Sequence, residues 1–132
     1  MGLLLRGGRV IDPSQDQDTR ADLLIEDERV AAVGANLYPG GHETLDVSGR
    51  LVCPGFIDLH VHFREPGQEY KETIATGALS AAAGGFTAVC CMPNTDPAID
   101  DPSVIELIRQ RAAEACGVRI YVNAALSLGN GR

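Results

Sequence analysis

Two histidines separated by one residue carry the clearest chemical signal in the chain. His60 and His62 lie in the run Asp58-Leu59-His60-Val61-His62-Phe63-Arg64. Side chains alternate along a strand, so both imidazoles project from the same face. Two converging imidazoles form half of a catalytic zinc site, where the metal lowers the pKa of a bound water to roughly 7 and polarises a carbonyl. His60 and His62 are therefore candidate metal ligands, although the spacing alone agrees equally with a chance pair of partly buried histidines.

Two further polar residues follow predicted strands and could hold a substrate. Arg64 comes two residues after His62 and points to the same face if the strand geometry persists. An arginine beside a metal can clamp a carboxylate through two parallel hydrogen bonds. Asn94 follows the next strand, and its amide could donate to a substrate oxygen. From the residues alone, a turn asparagine that bonds its own backbone is the simpler interpretation of Asn94.

The pattern after residue 54 predicts how these side chains are positioned. A buried strand over residues 56–61 is followed by a helix over 71–83, a strand over 86–91, a helix from Asp101-Pro102 and a strand over 118–126. This β-α-β-α-β order indicates parallel strands joined by crossover helices, as in a barrel or a doubly wound sheet. Catalytic residues of barrels lie at the carboxyl ends of strands. That context favours a metal site over the alternative, a chance pair of partly buried histidines.

Three weaker candidates accompany the histidine pair. Asp58 shares the face of His60, where it would orient an imidazole or simply be a polar residue inside the barrel. Glu65 is more simply a solvated charge of the loop that follows the strand. His42, the third histidine, is more simply a residue of a surface loop.

Residues 2–53 predict a small antiparallel all-β unit. Three hairpins are expected, around Gly7-Gly8, Asp27-Glu28 and Ser48-Gly49, because each pair separates two apolar runs. The polar stretch 13–20 predicts a loop.

Composition excludes several classes of function. The chain of 132 residues has 11 basic and 18 acidic side chains, a net charge of −7 that disfavours nucleic-acid binding. It contains neither an apolar run of membrane-spanning length nor a signal peptide, which predicts a cytoplasmic protein. Its four cysteines have no C-x-x-C spacing, and we interpret Cys53, Cys90, Cys91 and Cys116 as reduced, buried thiols.

Nearly the whole chain resembles the amidohydrolase superfamily, and within it the dihydroorotase family of the longer bacterial type. The matching segments, in order, are Gly7-Gly8-Arg9-Val10-Ile11-Asp12-Pro13, the run from Pro54 to Gly67, Glu72-Thr73, Ala82-Ala83-Gly84-Gly85-Phe86-Thr87 and Met92-Pro93-Asn94-Thr95. The resemblance implies an α/β fold: the start of a (β/α)8 TIM-type barrel over residues 54–132, preceded by part of a small β-sandwich over residues 1–53.

The resemblance also implies an activity and its site residues. His60 and His62 would ligate one metal of a centre with one or two Zn2+ ions, while Arg64 and Asn94 would hold the substrate carboxylate. The family reaction interconverts L-dihydroorotate and N-carbamoyl-L-aspartate in pyrimidine synthesis, with a metal-activated water opening the cyclic amide. A homodimer and an association with aspartate transcarbamoylase are the protein partners that the family suggests.

The family's bridging carboxylate, its other two histidines and its general base have no counterpart here and are expected beyond Arg132. We therefore expect a truncated chain with negligible activity and weak zinc affinity by itself, because a catalytic zinc needs at least three protein ligands.

Other functions stay open at this point. An allantoinase or hydantoinase shares the His-x-His strand, although Arg64 and Asn94 favour a substrate with a carboxylate beside its ring. A noncatalytic subunit that supports aspartate transcarbamoylase is a further alternative. A plain structural α/β domain agrees less well with the ordered matches.

Overall fold

A computed structural model describes residues 2–115 and 117–131, with the side chains of residues 130 and 131 excepted. The chain divides into two compact units, Met1–Pro54 and Gly55–Arg132. No helix among the described residues is long and apolar enough to span a membrane. The structure is mixed α/β, with one sheet in each unit.

The first unit is a five-stranded mixed sheet. Its strands are β1 (Leu3–Asp12), β2 (Gln17–Glu26), β3 (Arg29–Gly34), β4 (Glu43–Asp46) and β5 (Leu51–Val52). The order is β3-β2-β1-β4, and β5 also pairs with β1. The predicted hairpin around Asp27-Glu28 is confirmed: β2 and β3 are antiparallel, and both turn residues have positive φ, as a tight two-residue turn requires.

The predicted hairpin at Gly7-Gly8 is wrong, because β1 runs through both glycines. Arg6 and Gly7 lie opposite the single residue Asp22 of β2, so the chain forms a bulge instead of a turn. Gly7 has φ +75° and donates its N–H to Asp22 Oδ1 over 2.9 Å. The other oxygen of this buried carboxylate accepts the N–H of Leu37 at 3.0 Å. A carboxylate satisfied on both sides thus stabilises the bulge.

Two other predictions for this unit are also wrong. β4 and β5 each pair in parallel with β1, so the Ser48-Gly49 turn offsets the chain along β1 without reversing it. The predicted loop shortens to a 3-10 turn at Pro13–Gln15, after which β2 begins at Gln17. The unit is all-β as expected, but it is not wholly antiparallel.

The second unit has the predicted β-α-β-α-β order. Its elements are β6 (Phe56–Val61), α1 (Ile74–Ala83), β7 (Phe86–Cys91), α2 (Pro102–Glu114) and β8 (Arg119–Val122). The strands are parallel in the order β6-β7-β8. α2 begins as expected, with Asp101 as N-cap and proline at the first helical position. β8 ends at Val122, four residues earlier than predicted.

The core of this unit lies between the sheet and the helices. α1 buries Ile74, Gly77 and Ala78 on one face, and α2 buries Val104 and Ile108. The same cluster includes Phe63, Val89, Cys91, Ile99 and Val118. Two packed layers of secondary structure thereby hold the carboxyl ends of the three strands at one edge.

β6 is apolar, but it is not buried as predicted. Phe56, Ile57 and Leu59 are between 55% and 72% exposed. Among the described residues β6 pairs only with β7, so one of its edges carries no partner strand. The exposed side chains therefore belong to a face and an edge that no described residue of the second unit covers.

The cysteines are only partly as predicted. Cys91 is buried, Cys90 is half-buried and Cys53 is exposed, and all three are free thiols. Burial, with a contribution from Cys90, raises the pKa of Cys91 to about 12, so this thiol stays protonated and inert at neutral pH. Cys116 lies outside the described residues.

Candidate metal and substrate site

The structure brings the two predicted metal ligands together. Nε2 of His60 lies 3.2 Å from Nε2 of His62, and the rings meet edge-on at a centroid distance of 5.0 Å. The pair lies next to a bulge, in which Leu59 and His60 lie opposite the single residue Cys90 of β7. Asp58 accepts the backbone N–H of His60 over 3.0 Å, so its hydrogen bond is to the backbone and not to an imidazole.

The separation of the two nitrogens suits a shared metal ion. Tetrahedral zinc with Zn–N bonds of 2.0–2.1 Å places two ligand nitrogens about 3.3 Å apart. The observed 3.2 Å is close to that value. Within residues 2–115 and 117–131, however, no third His, Cys, Asp or Glu joins the pair to complete a ligand set. The two histidines fit as half of a zinc site.

Asn94 lies directly beside this pair. Its Oδ1 is 2.8 Å from Nδ1 of His62, although 32 residues separate the two in sequence. Asn94 stands in the loop that follows β7, as His62 and Arg64 stand just after β6. The turn interpretation that the residues alone favoured does not describe this contact, because the side-chain oxygen faces an imidazole.

Arg64 has no such contact. Its side chain is half-buried and makes no ion pair or hydrogen bond with any described residue, while its carbonyl accepts the N–H of Gln68 over 2.9 Å. The structure thus groups His60, His62 and Asn94. It leaves the Arg64 guanidinium two residues beyond His62 without a protein partner among the described residues.

The loops that carry these residues are joined to each other. The N–H of Asp96 donates to the carbonyl of Pro66 over 3.0 Å, and the N–H of Met92 donates to Val61 over 2.9 Å. Gly67 has φ +97°, and a Cβ there would collide with the backbone of Asp96. Close approach of the two loops therefore requires glycine at this position.

The prediction that Glu65 is a solvated charge is wrong. Its side chain is 13% exposed and forms a 3.3 Å ion pair with Arg111 Nε of α2. The other carboxylate oxygen accepts the N–H of Ile74, the first residue of α1, over 2.8 Å. A carboxylate is favourable at a helix N-terminus, where backbone N–H groups lack partners. Glu65 therefore ties the segment that follows the histidines to both helices.

We expect Glu65→Ala to lower the free energy of unfolding by about 1–3 kcal/mol, because it leaves a backbone donor at a buried residue without its acceptor. Glu114→Ala is the matched control, since Glu114 also pairs with Arg111 but is 73% exposed. This control should cost no more than about 1 kcal/mol. Denaturant unfolding of the two variants, with hydrogen exchange at the Ile74 amide, measures the difference. Equal losses would contradict the buried-acceptor role.

Phe63 is a core residue next to the candidate site that the sequence did not reveal. It lies between His62 and Arg64, is 6% exposed and belongs to the core. Its ring occupies the space that a side chain at Gly77 of α1 would need. His42, interpreted as a residue of a surface loop, is half-buried: it accepts the N–H of Gly2 at 3.0 Å and lies 3.2 Å from Glu26. It has no part in the candidate site.

Comparison with known proteins places this geometry in a family. A family model described as Dihydro-orotase-like matches residues 49–131, which include every residue of the candidate site. The chain belongs to the dihydroorotase-like family. Among curated relatives, the dihydroorotase of Anaeromyxobacter dehalogenans is 53% identical over 130 residues, and that of Syntrophotalea carbinolica is 47% identical over 129. Each alignment covers 98% of this chain and 30% of the relative, so the chain spans about a third of the length of the proteins it matches.

The chain is also similar to solved structures of hydantoinases. The L-hydantoinase (dihydropyrimidinase) of Arthrobacter aurescens has a TM-score of 0.84 and 27% identity, over 97% of this chain and 28% of that one. The dihydropyrimidinase of Brevibacillus agri has a TM-score of 0.81 and 29% identity, over 96% and 28%. The backbone of this chain is therefore similar to about 28% of the length of two hydantoinase-type enzymes.

Proposed function

We propose that the complete protein is a zinc-dependent dihydroorotase that interconverts L-dihydroorotate and N-carbamoyl-L-aspartate. One observation carries the proposal: Nε2 of His60 and Nε2 of His62 converge to 3.2 Å at the end of β6 in a chain of this family. When bound there, zinc would supply a Lewis acid for the ring carbonyl and an acidified water. The curated relatives named dihydroorotase, at 47–53% identity, support the substrate.

We propose that residues 54–132 begin a (β/α)8 barrel and that residues 1–53 are part of a β-sandwich domain. The three parallel strands with crossover helices support the first assignment. The exposed apolar side chains of β6, at Phe56, Ile57 and Leu59, support it too, because closing a barrel would bury them. The other metal ligands and the general base would come from later strands of that barrel.

In this proposal Arg64 and Asn94 bind the carboxylate of the substrate. Arg64 supports the role because its guanidinium has no partner among the described residues, and it follows the metal-ligating segment directly. A guanidinium can donate two parallel hydrogen bonds to a carboxylate. The residues of this chain would thus orient the substrate, while His60 and His62 hold the metal.

The proposed partners are a small-molecule substrate and other protein chains. The relatives act on small molecules according to their names, which supports a small-molecule substrate here. A homodimer and an association with aspartate transcarbamoylase rest on the family resemblance alone.

A hydantoinase-type enzyme is the second candidate, favoured by the solved structures that match the backbone. The test is turnover of L-dihydroorotate, hydantoin and allantoin by the full-length protein, before and after chelation and after Zn2+ is restored. We expect dihydroorotate to be preferred and activity to depend on metal. Preference for hydantoin or allantoin would overturn the assignment of substrate, and no turnover with metal bound would favour the noncatalytic subunit.

We expect Arg64→Met to raise KM for dihydroorotate by about 100-fold, which corresponds to ~2.7 kcal/mol, because it removes the cation that pairs with the carboxylate. Any residual turnover of hydantoin, which lacks that carboxylate, should change little. Steady-state kinetics with both substrates measure the contrast. A parallel loss with both substrates would show that Arg64 acts on the fold or the metal and not on the carboxylate.

A further inference from the structure

We propose that Asn94 is a positioning residue for the metal ligand His62, in addition to any contact with substrate. This inference rests on the proposed metal site. The oxygen of the Asn94 amide would accept a hydrogen bond from the His62 imidazole, and its nitrogen would donate to the substrate. A single residue would then connect metal binding to substrate binding.

The hydrogen bond fixes which nitrogen of His62 is free. An amide oxygen only accepts, so the 2.8 Å contact requires that Nδ1 of His62 carry the proton and donate it to Asn94 Oδ1. In the neutral imidazole Nε2 then has a lone pair. That Nε2 is the atom 3.2 Å from His60, where the metal would lie. The bond therefore holds His62 in the form that can ligate.

The backbone holds Asn94 in place independently of the imidazole. Met92 is joined to Val61 and Asp96 to Pro66 by N–H to carbonyl bonds of 2.9 and 3.0 Å, one on each side of Asn94. Ile99, buried in the core, donates its N–H to the carbonyl of Pro93 over 3.2 Å. Asn94 is thus fixed relative to the end of β6 on both sides, and its oxygen can restrict rotation of the His62 ring.

The nitrogen of the same amide is available for a second function. Its nitrogen makes no hydrogen bond to any described residue, while its oxygen is engaged by His62. An amide nitrogen donates two hydrogen bonds, which suits a carboxylate oxygen. Partners that orient a metal-bound histidine commonly change metal affinity 10–100-fold when they are removed. The two roles of Asn94 are therefore separable by substitution.

Two substitutions in the full-length protein separate them. Asn94→Asp keeps an oxygen that accepts from Nδ1 but has no donor for a carboxylate and adds a negative charge. Asn94→Leu has a similar shape and neither function. Asn123→Leu is the matched control, because Asn123 follows β8 as Asn94 follows β7, and its amide contacts Met92 and not a histidine. Zn2+ affinity is measured by chelator competition, and kcat and KM at saturating metal.

We expect Asn94→Leu to weaken Zn2+ binding about 10–100-fold, and Asn94→Asp and Asn123→Leu to retain affinity within a few-fold. Both Asn94 variants should raise KM for dihydroorotate. If Asn94→Leu binds Zn2+ as tightly as the unmodified protein, Asn94 is a substrate residue only and the inference fails. If Asn94→Asp loses affinity as Asn94→Leu does, the amide nitrogen and not the oxygen faces His62, and the inference fails too.

A further variant separates this failure from failure of the metal site itself. His62→Ala should weaken Zn2+ binding more than Asn94→Leu, because it removes a ligand. If His62→Ala leaves affinity unchanged, the proposed metal site is wrong and the Asn94 inference falls with it. If His62→Ala weakens binding and Asn94→Leu does not, only the inference about Asn94 is overturned.

Discussion

Replacing either His60 or His62 with alanine should remove the metal from the proposed zinc site of the full-length protein. Each substitution deletes one of two nitrogens that converge to 3.2 Å, and the remaining imidazole cannot supply the second bond. The lost metal would withdraw several kcal/mol of transition-state stabilisation, so kcat/KM for dihydroorotate should fall by at least about 10³-fold. Metal content after dialysis and steady-state turnover measure the two effects.

His42→Ala is the control for this prediction. It makes the same substitution at the third histidine, which contacts Gly2 and Glu26 in the first unit. We expect it to retain the metal and most of the activity of the folded protein. If His60→Ala and His62→Ala also retained stoichiometric metal and turnover, the convergence of the two imidazoles would have no role in metal binding.

The histidine pair could be predicted from the sequence because its geometry is local. A spacing of two in an extended segment directs both imidazoles to one side, and in the structure their Nε2 atoms lie 3.2 Å apart at the end of β6. The bulge at Leu59-His60 was not predicted, since it depends on how β6 registers with β7, whose residues come some 30 positions later. Local periodicity predicts the direction in which side chains point from a strand, but it does not predict how that strand pairs with its neighbour.

Contacts between distant residues account for most of what the sequence could not reveal. Gly7-Gly8 is compatible with a turn and with a bulge, and pairing with Asp22 of β2 decides between them. Glu65 became part of the helix framework through Arg111, 46 positions away. The same holds for Asn94: the turn that contains it can be predicted from neighbouring residues, but its hydrogen-bond partner His62 is 32 positions away. In the second unit the β-α-β-α-β order of elements and the N-cap of α2 at Asp101, which follow from short-range patterns, were predicted correctly.

Enlarging Gly77 should disrupt the candidate site from the opposite side of the core. Gly77 lies on the buried face of α1, and a Cβ there would overlap the Phe63 ring. Alanine normally favours a helix over glycine by about 1 kcal/mol. Here overpacking should outweigh that gain, so we expect Gly77→Ala to destabilise the fold by about 1–3 kcal/mol and Gly77→Val by more. Ser80→Ala, at an exposed position of α1, is the control and should be neutral or slightly stabilising.

Activity should fall together with stability, because Phe63 lies between His62 and Arg64. A shift of about 1 Å in a positioning segment can cost about 100-fold in rate. We therefore expect Gly77→Ala to lower kcat/KM for dihydroorotate by about that factor, and Phe63→Leu to restore part of the loss in the double variant by making room for the new methyl group. A double-mutant cycle measures this coupling directly. Gly77→Ala could instead stabilise the protein, as helix propensity alone predicts, and show no coupling to Phe63. The Phe63 ring would then not pack against α1. The position of the His62 segment would depend on Glu65 and on the contact between Pro66 and Asp96.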